Sequence, residues 1–206
     1  GTTGPPKGAM LTHRNVAYSM SLFRDSSIRN GYLIGPDDEI LCYLPLCHVA
    51  ERIFSTFHVA ELGITVNFAE SIDTVQANLR EVQPTLFFAV PRIWEKIHAG
   101  VMIRANDATP LKRLWWRFGM RLAAVIGREK VANGGLPTFK SRLLDAIGRP
   151  LVFRPLLERI GMRRCVWAGT GAAPIAPEIL EFFTGIGVPV YELYGMTENS
   201  AIATTN

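Results

Sequence analysis

Short apolar segments recur along the chain and predict β-strands. Residues 40–44 and 85–90 are almost continuously apolar, which is typical of strands that are buried on both faces. Each of these two segments is followed by a proline, which favours a strand end there. Three further segments are also predicted to be strands, at residues 64–68, 166–168 and 188–194.

Apolar residues between these segments recur at helical spacing. Thr12 is a suitable N-cap for a helix that runs to about Asn30, and Asp73 is one for a later helix. Pro91 is favoured in a first helical turn and opens a predicted helix over residues 91–104. Other predicted helices cover residues 53–63, 110–127, 174–183 and the stretches that flank Pro150 and Pro155. This alternation predicts an α/β fold in which largely parallel sheets are flanked by helices.

Two loops directly follow predicted strands, at residues 169–174 and 195–199. In open α/β sheets, ligands bind at the carboxyl ends of the strands. We therefore expect the two loops to lie along the same edge of the sheet.

Composition narrows the class of protein. Of 206 residues, 48% are apolar and 19% are charged, which excludes an intrinsically disordered chain. The three cysteines show no CxxC spacing, so a disulfide scaffold and a zinc site are disfavoured and reduced thiols in a reducing compartment are expected. Residues 104–164 hold 14 Lys/Arg and 4 Asp/Glu, a basic block that can attract phosphates or an anionic membrane face.

The first eight residues, GTTGPPKG, have the chemistry of a phosphate-binding loop. Glycines let the backbone approach a ligand closely, and Thr2, Thr3 and freed amide groups can donate hydrogen bonds to phosphate oxygens. Lys7 adds a positive charge. Because the hydroxyls precede the lysine, the motif differs from the P-loop of kinases and GTPases. A flexible surface turn is the alternative interpretation.

A second candidate segment, YELYGMTEN, closes the predicted strand at residues 188–194. Tyr194 offers an aromatic face on which a base can stack. Thr197 supplies a hydroxyl donor, and Glu198 supplies an oxygen ligand for Mg²⁺. Taken alone, the segment is more typical of an ordinary turn with a core tyrosine.

GTTGPPKG and YGMTE resemble the phosphate-binding and adenine-binding signatures of the adenylate-forming superfamily, and GAAP at residues 171–174 resembles its intervening adenine-site segment. PLCHVAER at 45–52, VPRIWEK at 90–96 and TGAAP at 170–174 resemble long-chain fatty acyl-CoA synthetases of that superfamily. The resemblance implies part of the large N-terminal domain of an adenylate-forming enzyme. It also implies that residues 1–206 are a partial AMP-binding domain, truncated at both ends and without the C-terminal domain.

The resemblance implies a two-step reaction: ATP and a fatty acid give an acyl-adenylate and pyrophosphate, and coenzyme A then takes the acyl group. Glu198 is implied as the Mg²⁺ ligand, Thr197 as a contact to the α-phosphate, and His48 as a neighbour of the fatty carboxylate. A buried core histidine is the alternative for His48, and Glu51 and Arg52 are interpreted as a structural ion pair. The remaining nucleotide-binding residues implied by the motifs are Thr2, Thr3, Gly4 and Lys7 at the phosphates, and Gly171, Ala172, Ala173, Tyr194 and Gly195 at the adenine.

The predicted helix over residues 110–127 places Arg113, Arg117 and Arg121 four residues apart, beside a face of large apolar residues that includes Trp115. Basic residues next to tryptophan suggest an interfacial helix on anionic lipid. The alternative is a helix whose apolar face packs on the core and whose basic side is solvated. We expect a cytoplasmic protein, with residues 104–164 as a candidate for peripheral membrane contact.

Three other functions are alternatives to the acyl-CoA ligase. A fatty acyl-AMP ligase would pass the acyl group to a carrier protein in place of coenzyme A. A non-catalytic nucleotide- or lipid-binding protein would not require Lys7, Thr197 and Glu198 together. A nucleic-acid binder is disfavoured because the basic block contains no recognised nucleic-acid-binding motif.

Overall fold

The computed structural model describes residues 8–29 and 31–205, and a six-stranded sheet forms its centre. The strands are β1 (Glu39–Cys42), β2 (Thr65–Phe68), β3 (Leu86–Ala89), β4 (Trp167–Gly171), β5 (Val190–Tyr194) and β6 (Thr204–Thr205). Their spatial order is β2-β1-β3-β4-β5-β6, and β6 pairs antiparallel with β5 while the other pairs are parallel. The predicted α/β fold with a largely parallel sheet is therefore confirmed.

The helices of the described residues are α1 (His13–Arg29), α2 (Val49–Arg52), α3 (His58–Leu62), α4 (Val75–Val82), α5 (Pro91–Asn106), α6 (Pro110–Ala132), α7 (Phe139–Gly148), α8 (Arg154–Ile160) and α9 (Pro177–Ile186). A π-helical segment, Ile53–Phe57, joins α2 to α3, and a second, Arg149–Phe153, joins α7 to α8. Thr12 caps α1 as predicted, because its hydroxyl accepts a hydrogen bond from the Asn15 amide at 3.2 Å.

Helices cover both faces of the sheet and divide the core in two. On one face, α4, α5, α6, α8 and α9 surround a cluster in which the rings of Trp94 and Phe183 meet edge to face at 4.8 Å. On the other face, α1 and the first π-helical segment bury Phe23 and Phe54 against Trp167. Burial of such aromatic side chains is a major stabilising term, worth about 1.5–3 kcal/mol for each fully buried large apolar side chain.

Helices α6 and α9 approach so closely that their backbones touch. A Cβ added at Gly127 of α6 would lie 2.1 Å from the carbonyl oxygen of Glu181. A Cβ added at Gly185 of α9 would lie 2.1 Å from the carbonyl oxygen of Ala123. Both distances are far below van der Waals contact, so these two glycines set the separation of the helices.

The buried face of α6 differs from the sequence interpretation. Small residues, Gly119, Ala123 and Gly127, face the core, whereas Leu111 and Phe118 remain 67% and 42% exposed. The alternative interpretation, in which the large apolar face of this helix packs on the core, is therefore wrong. No helix among the described residues combines the length and the apolar character that crossing a bilayer requires.

Several local predictions need correction. Helix α4 is preceded by Thr74 at the cap position and not by Asp73, and α9 begins at Pro177, three residues later than expected. The predicted ion pair between Glu51 and Arg52 is also wrong, because side chains of adjacent helical residues point apart. Glu51 is instead buried, and its Oε2 accepts a hydrogen bond from the Leu44 amide at 3.1 Å.

Candidate functional site

The carboxyl ends of the parallel strands meet the loops that the sequence singled out. Gly171 ends β4, Tyr194 ends β5, and His48 lies in the connection that follows β1. A small cavity of about 120 Å³ opens at this edge. Its walls bring His48 together with Gly171, Ala172 and Thr197, although these residues are far apart in sequence.

A second cavity, of about 510 Å³, adjoins the first. It is lined by Ala172, Ala173 and Tyr194, and it shares Ala172 and Gly195 with the small cavity. Tyr194 is 64% exposed, so its ring is not part of the core and its face is accessible to a planar group. The interpretation of Tyr194 as a core tyrosine is therefore wrong.

Strained backbone is concentrated around the small cavity. Within residues 8–29 and 31–205, four residues other than glycine have positive φ, and three of them lie here: Ala172 (+70°), Ser200 (+62°) and Ala201 (+82°). Left-handed backbone at a residue with a side chain costs about 1–2 kcal/mol, and it tends to collect at functional sites.

Hydrogen bonds hold the loop after β5 in this conformation. The Ala201 amide donates to the Met196 carbonyl at 3.0 Å, and the Ala203 amide donates to the Tyr194 carbonyl at 2.8 Å. The Ser19 hydroxyl of α1 donates to the Ser200 carbonyl at 3.1 Å, which ties the loop to the helix above it. A Cβ at Gly195 would lie 1.6 Å from the Ala201 carbonyl oxygen, so only glycine fits there.

His48 is half-buried at the start of α2, where its Nδ1 accepts a hydrogen bond from the Ala50 amide at 3.2 Å. A neutral ring with an accepting Nδ1 has its proton on Nε2, which is then available as a hydrogen-bond donor. The core histidine of this region is instead His58, which is 1% exposed and stacks on Phe23. Burial lowers the pKa of His58 to about 3.

Thr197 and Glu198 belong to a short 3-10 turn, Thr197–Asn199, directly after Tyr194 and Gly195. Thr197 lines the small cavity, while Glu198 is exposed beside it. The described residues contain no group of three or more His, Cys, Asp or Glu side chains able to hold a metal ion together. A Mg²⁺ ion that is coordinated by phosphate oxygens and water needs only one or two protein carboxylates in addition. The exposed carboxylate of Glu198 fits that role.

The phosphate loop lies outside the described residues. Thr2, Thr3, Gly4 and Lys7 all fall in this part of the chain, so their convergence on Tyr194 stays a prediction. Gly8, the last residue of the GTTGPPKG motif and the only one of its eight among the described residues, is exposed and precedes the cap of α1.

The apolar wall of the small cavity could not be predicted from the sequence. The apolar lining residues are Phe54, Phe88, Leu193 and Ile202, and they share the cavity with His48 and Thr197. Phe54 and Phe88 stack with ring centroids 5.2 Å apart. Each looks like an ordinary core residue in sequence, and only the pairing of the strands brings them to the edge where the polar groups lie.

None of the three cysteines lines either cavity of the site. Burial raises the pKa of the Cys165 thiol to about 12. The pKa of the Cys42 thiol is also raised, mainly by burial and to a smaller extent by the negative charge of the nearby Glu51. Both thiols are therefore protonated near neutral pH. Cys47 is exposed, and all three cysteines are free.

Comparison with known proteins places this site in context. The whole chain, residues 1–206, matches the family model described as AMP-binding enzyme. The chain belongs to the AMP-binding enzyme family. The resemblance inferred from GTTGPPKG, GAAP and YGMTE is thereby confirmed.

Two relatives within this AMP-binding enzyme family show what the chain is similar to. A putative fatty-acid–CoA ligase, fadD11 of Mycobacterium tuberculosis, is 35% identical over 100% of this chain, which spans 35% of its length. The chicken (Gallus gallus) long-chain-fatty-acid–CoA ligase ACSBG2 is 36% identical over 97% of this chain, which spans 26% of its length. The chain thus corresponds to about a third of these relatives or less.

A solved structure supports the fold. O-succinylbenzoate coenzyme A synthetase from Bacillus subtilis, in complex with ATP and a magnesium ion, superposes with a TM-score of 0.57 and 20% identity. The match covers 100% of this chain and 30% of the other. The described sheet and helices therefore have the fold of an adenylate-forming enzyme.

Proposed function

We propose that this chain supplies the nucleotide- and acyl-binding edge of an ATP-dependent long-chain fatty acid–CoA ligase. The observation that favours this function is the pair of adjoining cavities at the carboxyl edge of the sheet. The larger cavity has the exposed ring of Tyr194 and the backbone of Ala172–Pro174, which suit a purine. The smaller cavity combines apolar side chains with His48 and Thr197, which suits the carboxyl end of an acyl chain.

The larger cavity is suited to the adenosine part of ATP. Tyr194 would stack on the base, and the backbone of Ala172 and Ala173 would contact its edge. Thr197 would then donate to the α-phosphate at the boundary of the two cavities. Thr2, Thr3, Gly4 and Lys7 would hold the β- and γ-phosphates, by analogy with the motif they match.

The first chemical step would occur where the two cavities meet. A carboxylate oxygen of the fatty acid attacks the α-phosphorus, the bond from that phosphorus to the bridging oxygen breaks, and pyrophosphate leaves. Negative charge is shared among the phosphate oxygens as the carboxylate approaches, so fixed donors such as the Thr197 hydroxyl and His48 Nε2–H lower the barrier. The apolar side chains of Phe54 and Phe88, which line the small cavity, would limit the access of water to the reacting carboxyl group.

Glu198 would hold the Mg²⁺ ion together with phosphate oxygens and water. When bound, this ion neutralises phosphate charge and orients the leaving group. In the second step the thiolate of coenzyme A attacks the acyl carbon and AMP leaves. A fatty acyl-AMP ligase would share the first step and differ only in the acceptor.

An ATP–pyrophosphate exchange assay on the full-length protein that contains this sequence tests the proposal. Exchange should depend on a long-chain fatty acid, and Tyr194→Ala should raise the KM for ATP about tenfold, as loss of one stacked ring implies. Tyr194→Phe keeps the ring and is the matched control, with a KM close to that of the wild type. His48→Ala should change the KM for the fatty acid more than that for ATP.

Two outcomes would contradict the assignment. Absence of exchange with every carboxylate tested would favour a non-catalytic binding protein. Exchange without thioester formation when coenzyme A is added would favour transfer to a carrier protein.

We also propose peripheral membrane contact through residues 104–164, because α6 leaves a strip of large apolar residues exposed beside its arginines. A pull-down with vesicles containing anionic phosphatidylserine tests this. The triple variant Arg113→Gln/Arg117→Gln/Arg121→Gln should bind the vesicles more weakly than the wild type. The difference between the two proteins should be largest at low salt, where charge interactions are least screened. Equal binding would reject membrane contact through this helix.

A further inference from the structure

A third cavity, of about 420 Å³, lies between α4, α5, α6, α8 and the second π-helical segment. Its volume falls within the usual range for small-molecule sites, about 300–1,000 Å³. The body of the cavity is apolar and includes Ile97, Val101, Trp116 and Leu156. No residue of the candidate site lines it.

Four cations line this apolar cavity: Arg80, Arg104, Lys112 and Arg159. No acidic side chain is among its lining residues. Within the part of the chain that the structure describes, seven ion pairs occur, and none of them involves these four cations. Their positive charge is therefore not compensated by a carboxylate.

The cavity extends away from the edge that holds the candidate site. Helix α5 begins at Pro91, directly after β3 ends at that edge, and its cavity-lining stretch spans residues 97–105. At 1.5 Å per residue, this stretch lies about 9–21 Å along the helix from its start. The other walls include Arg80, in the last turn of α4, and Ile160, at the end of α8, which lead towards the starts of β3 and β4. An occupant there would not overlap the proposed nucleotide.

We propose that this cavity is a second binding site, for a long-chain fatty carboxylate that is bound and not activated. The apolar body would take the acyl chain. Arg104, near the end of α5, and Lys112, near the start of α6, would meet the carboxylate, since both line the cavity and both are exposed to solvent. An uncompensated cluster of cations beside an apolar cavity matches an amphipathic anion and disfavours a neutral lipid or a cation. This inference goes beyond the proposed function, because it concerns a site where no chemistry occurs.

Photolabelling of the full-length protein with a diazirine analogue of palmitate, followed by peptide mapping, tests the proposal. Label is expected in peptides that cover residues 97–116 and 151–160, and excess palmitate should displace it. In the double variant Arg104→Ala/Lys112→Ala, palmitate should compete about tenfold less well, since each exposed charge contact contributes modestly. Ala105→Trp should obstruct part of the cavity and reduce the label in these peptides.

Matched controls separate binding here from catalysis and from general charge. Arg117→Ala removes a cation from the same helix without touching the cavity and should leave competition unchanged. All these variants should keep the fatty acid-dependent pyrophosphate exchange of the wild type, because none lies in the candidate site. Three outcomes would each overturn the proposal. The first is label found only in other peptides, and the second is displacement by hexadecanol that is as effective as displacement by palmitate. The third is displacement by palmitoyl-CoA but not by palmitate.

Discussion

The contact between α6 and α9 makes a sharp prediction for Gly127→Ala. In an isolated helix this change is favourable by about 1 kcal/mol, because alanine has the higher helix propensity. Here the new Cβ would lie 2.1 Å from the Glu181 carbonyl oxygen and 2.8 Å from its carbonyl carbon. These are backbone atoms in a regular helix and cannot rotate away, so α9 must shift by roughly 1 Å or more to restore contact distances of about 3.5 Å.

That shift disturbs packing on α9 that is already close. Phe183 of α9 is 1% exposed and packs on Trp94, and Gly185 fixes a second point of backbone contact at Ala123. Overpacking of this kind costs about 1–3 kcal/mol, against a gain of about 1 kcal/mol in helix propensity. Because the overlapping atoms belong to the backbone of α9, we expect a cost in the upper part of that range, about 2–3 kcal/mol. Gly127→Ala should therefore lower the free energy of unfolding by about 1–2 kcal/mol.

Gly100→Ala is the matched control. Gly100 lies in the interior of α5, and the only neighbour of an added Cβ would be the Gln76 side-chain oxygen at 4.0 Å. With no overlap, the gain in propensity should appear as a stabilisation of about 0.5–1 kcal/mol.

Urea denaturation followed by tryptophan fluorescence, with Trp94 close to the contact, measures both variants. Equal m-values would show that the midpoints report stability. If Gly127→Ala were as stable as Gly100→Ala, the helix contact would be looser than the structure indicates and the reasoning would be refuted.

Two further predictions concern single residues. Burial lowers the pKa of His58 to about 3, below its ordinary value near 6.5, so its contribution to stability is complete above pH 6.5 and is lost as the pH falls towards 3, by up to about 1.4 kcal/mol per pH unit. Urea midpoints measured across this range should fall less steeply in His58→Phe, and parallel curves would contradict this. Ala172→Gly should not lower the thermal midpoint, because glycine adopts a φ of +70° without strain. The adjacent variant Ala173→Gly should lower the midpoint, because Ala173 has no positive φ to relieve. Equal losses in the two variants would contradict the inference that the backbone at Ala172 is strained.

The sheet and its functional edge were accessible from sequence because parallel strands obey simple rules. Apolar segments such as residues 40–44 and 85–90 are long enough to identify, and their order fixes the edge at which the following loops meet. The short strand β6 was missed, because two threonines after a loop have no recognisable pattern.

Packing details were not accessible in the same way. The hydrophobic pattern of α6 predicts that its bulky apolar side chains are buried. The close approach of α9 leaves room only for small residues, so Gly119 and Gly127 lie on the buried face. The left-handed backbone of Ala172 has no signal either, because alanine is not a residue type that marks positive φ. Such features depend on neighbours that are distant in sequence.

The pairing of β3 with β4 has a consequence for how the chain folds during synthesis. Leu86 lies opposite Trp167, and the segment between them contains α5, α6, α7 and α8. At a translation rate of about 5–20 residues per second, β4 leaves the ribosome roughly 4–16 seconds after β3. Throughout this interval, β3 is an unpaired and fully apolar edge of the β2-β1-β3 half of the sheet. Chaperone contact with the nascent chain should therefore be strongest after β3 has left the ribosome and before β4 has done so.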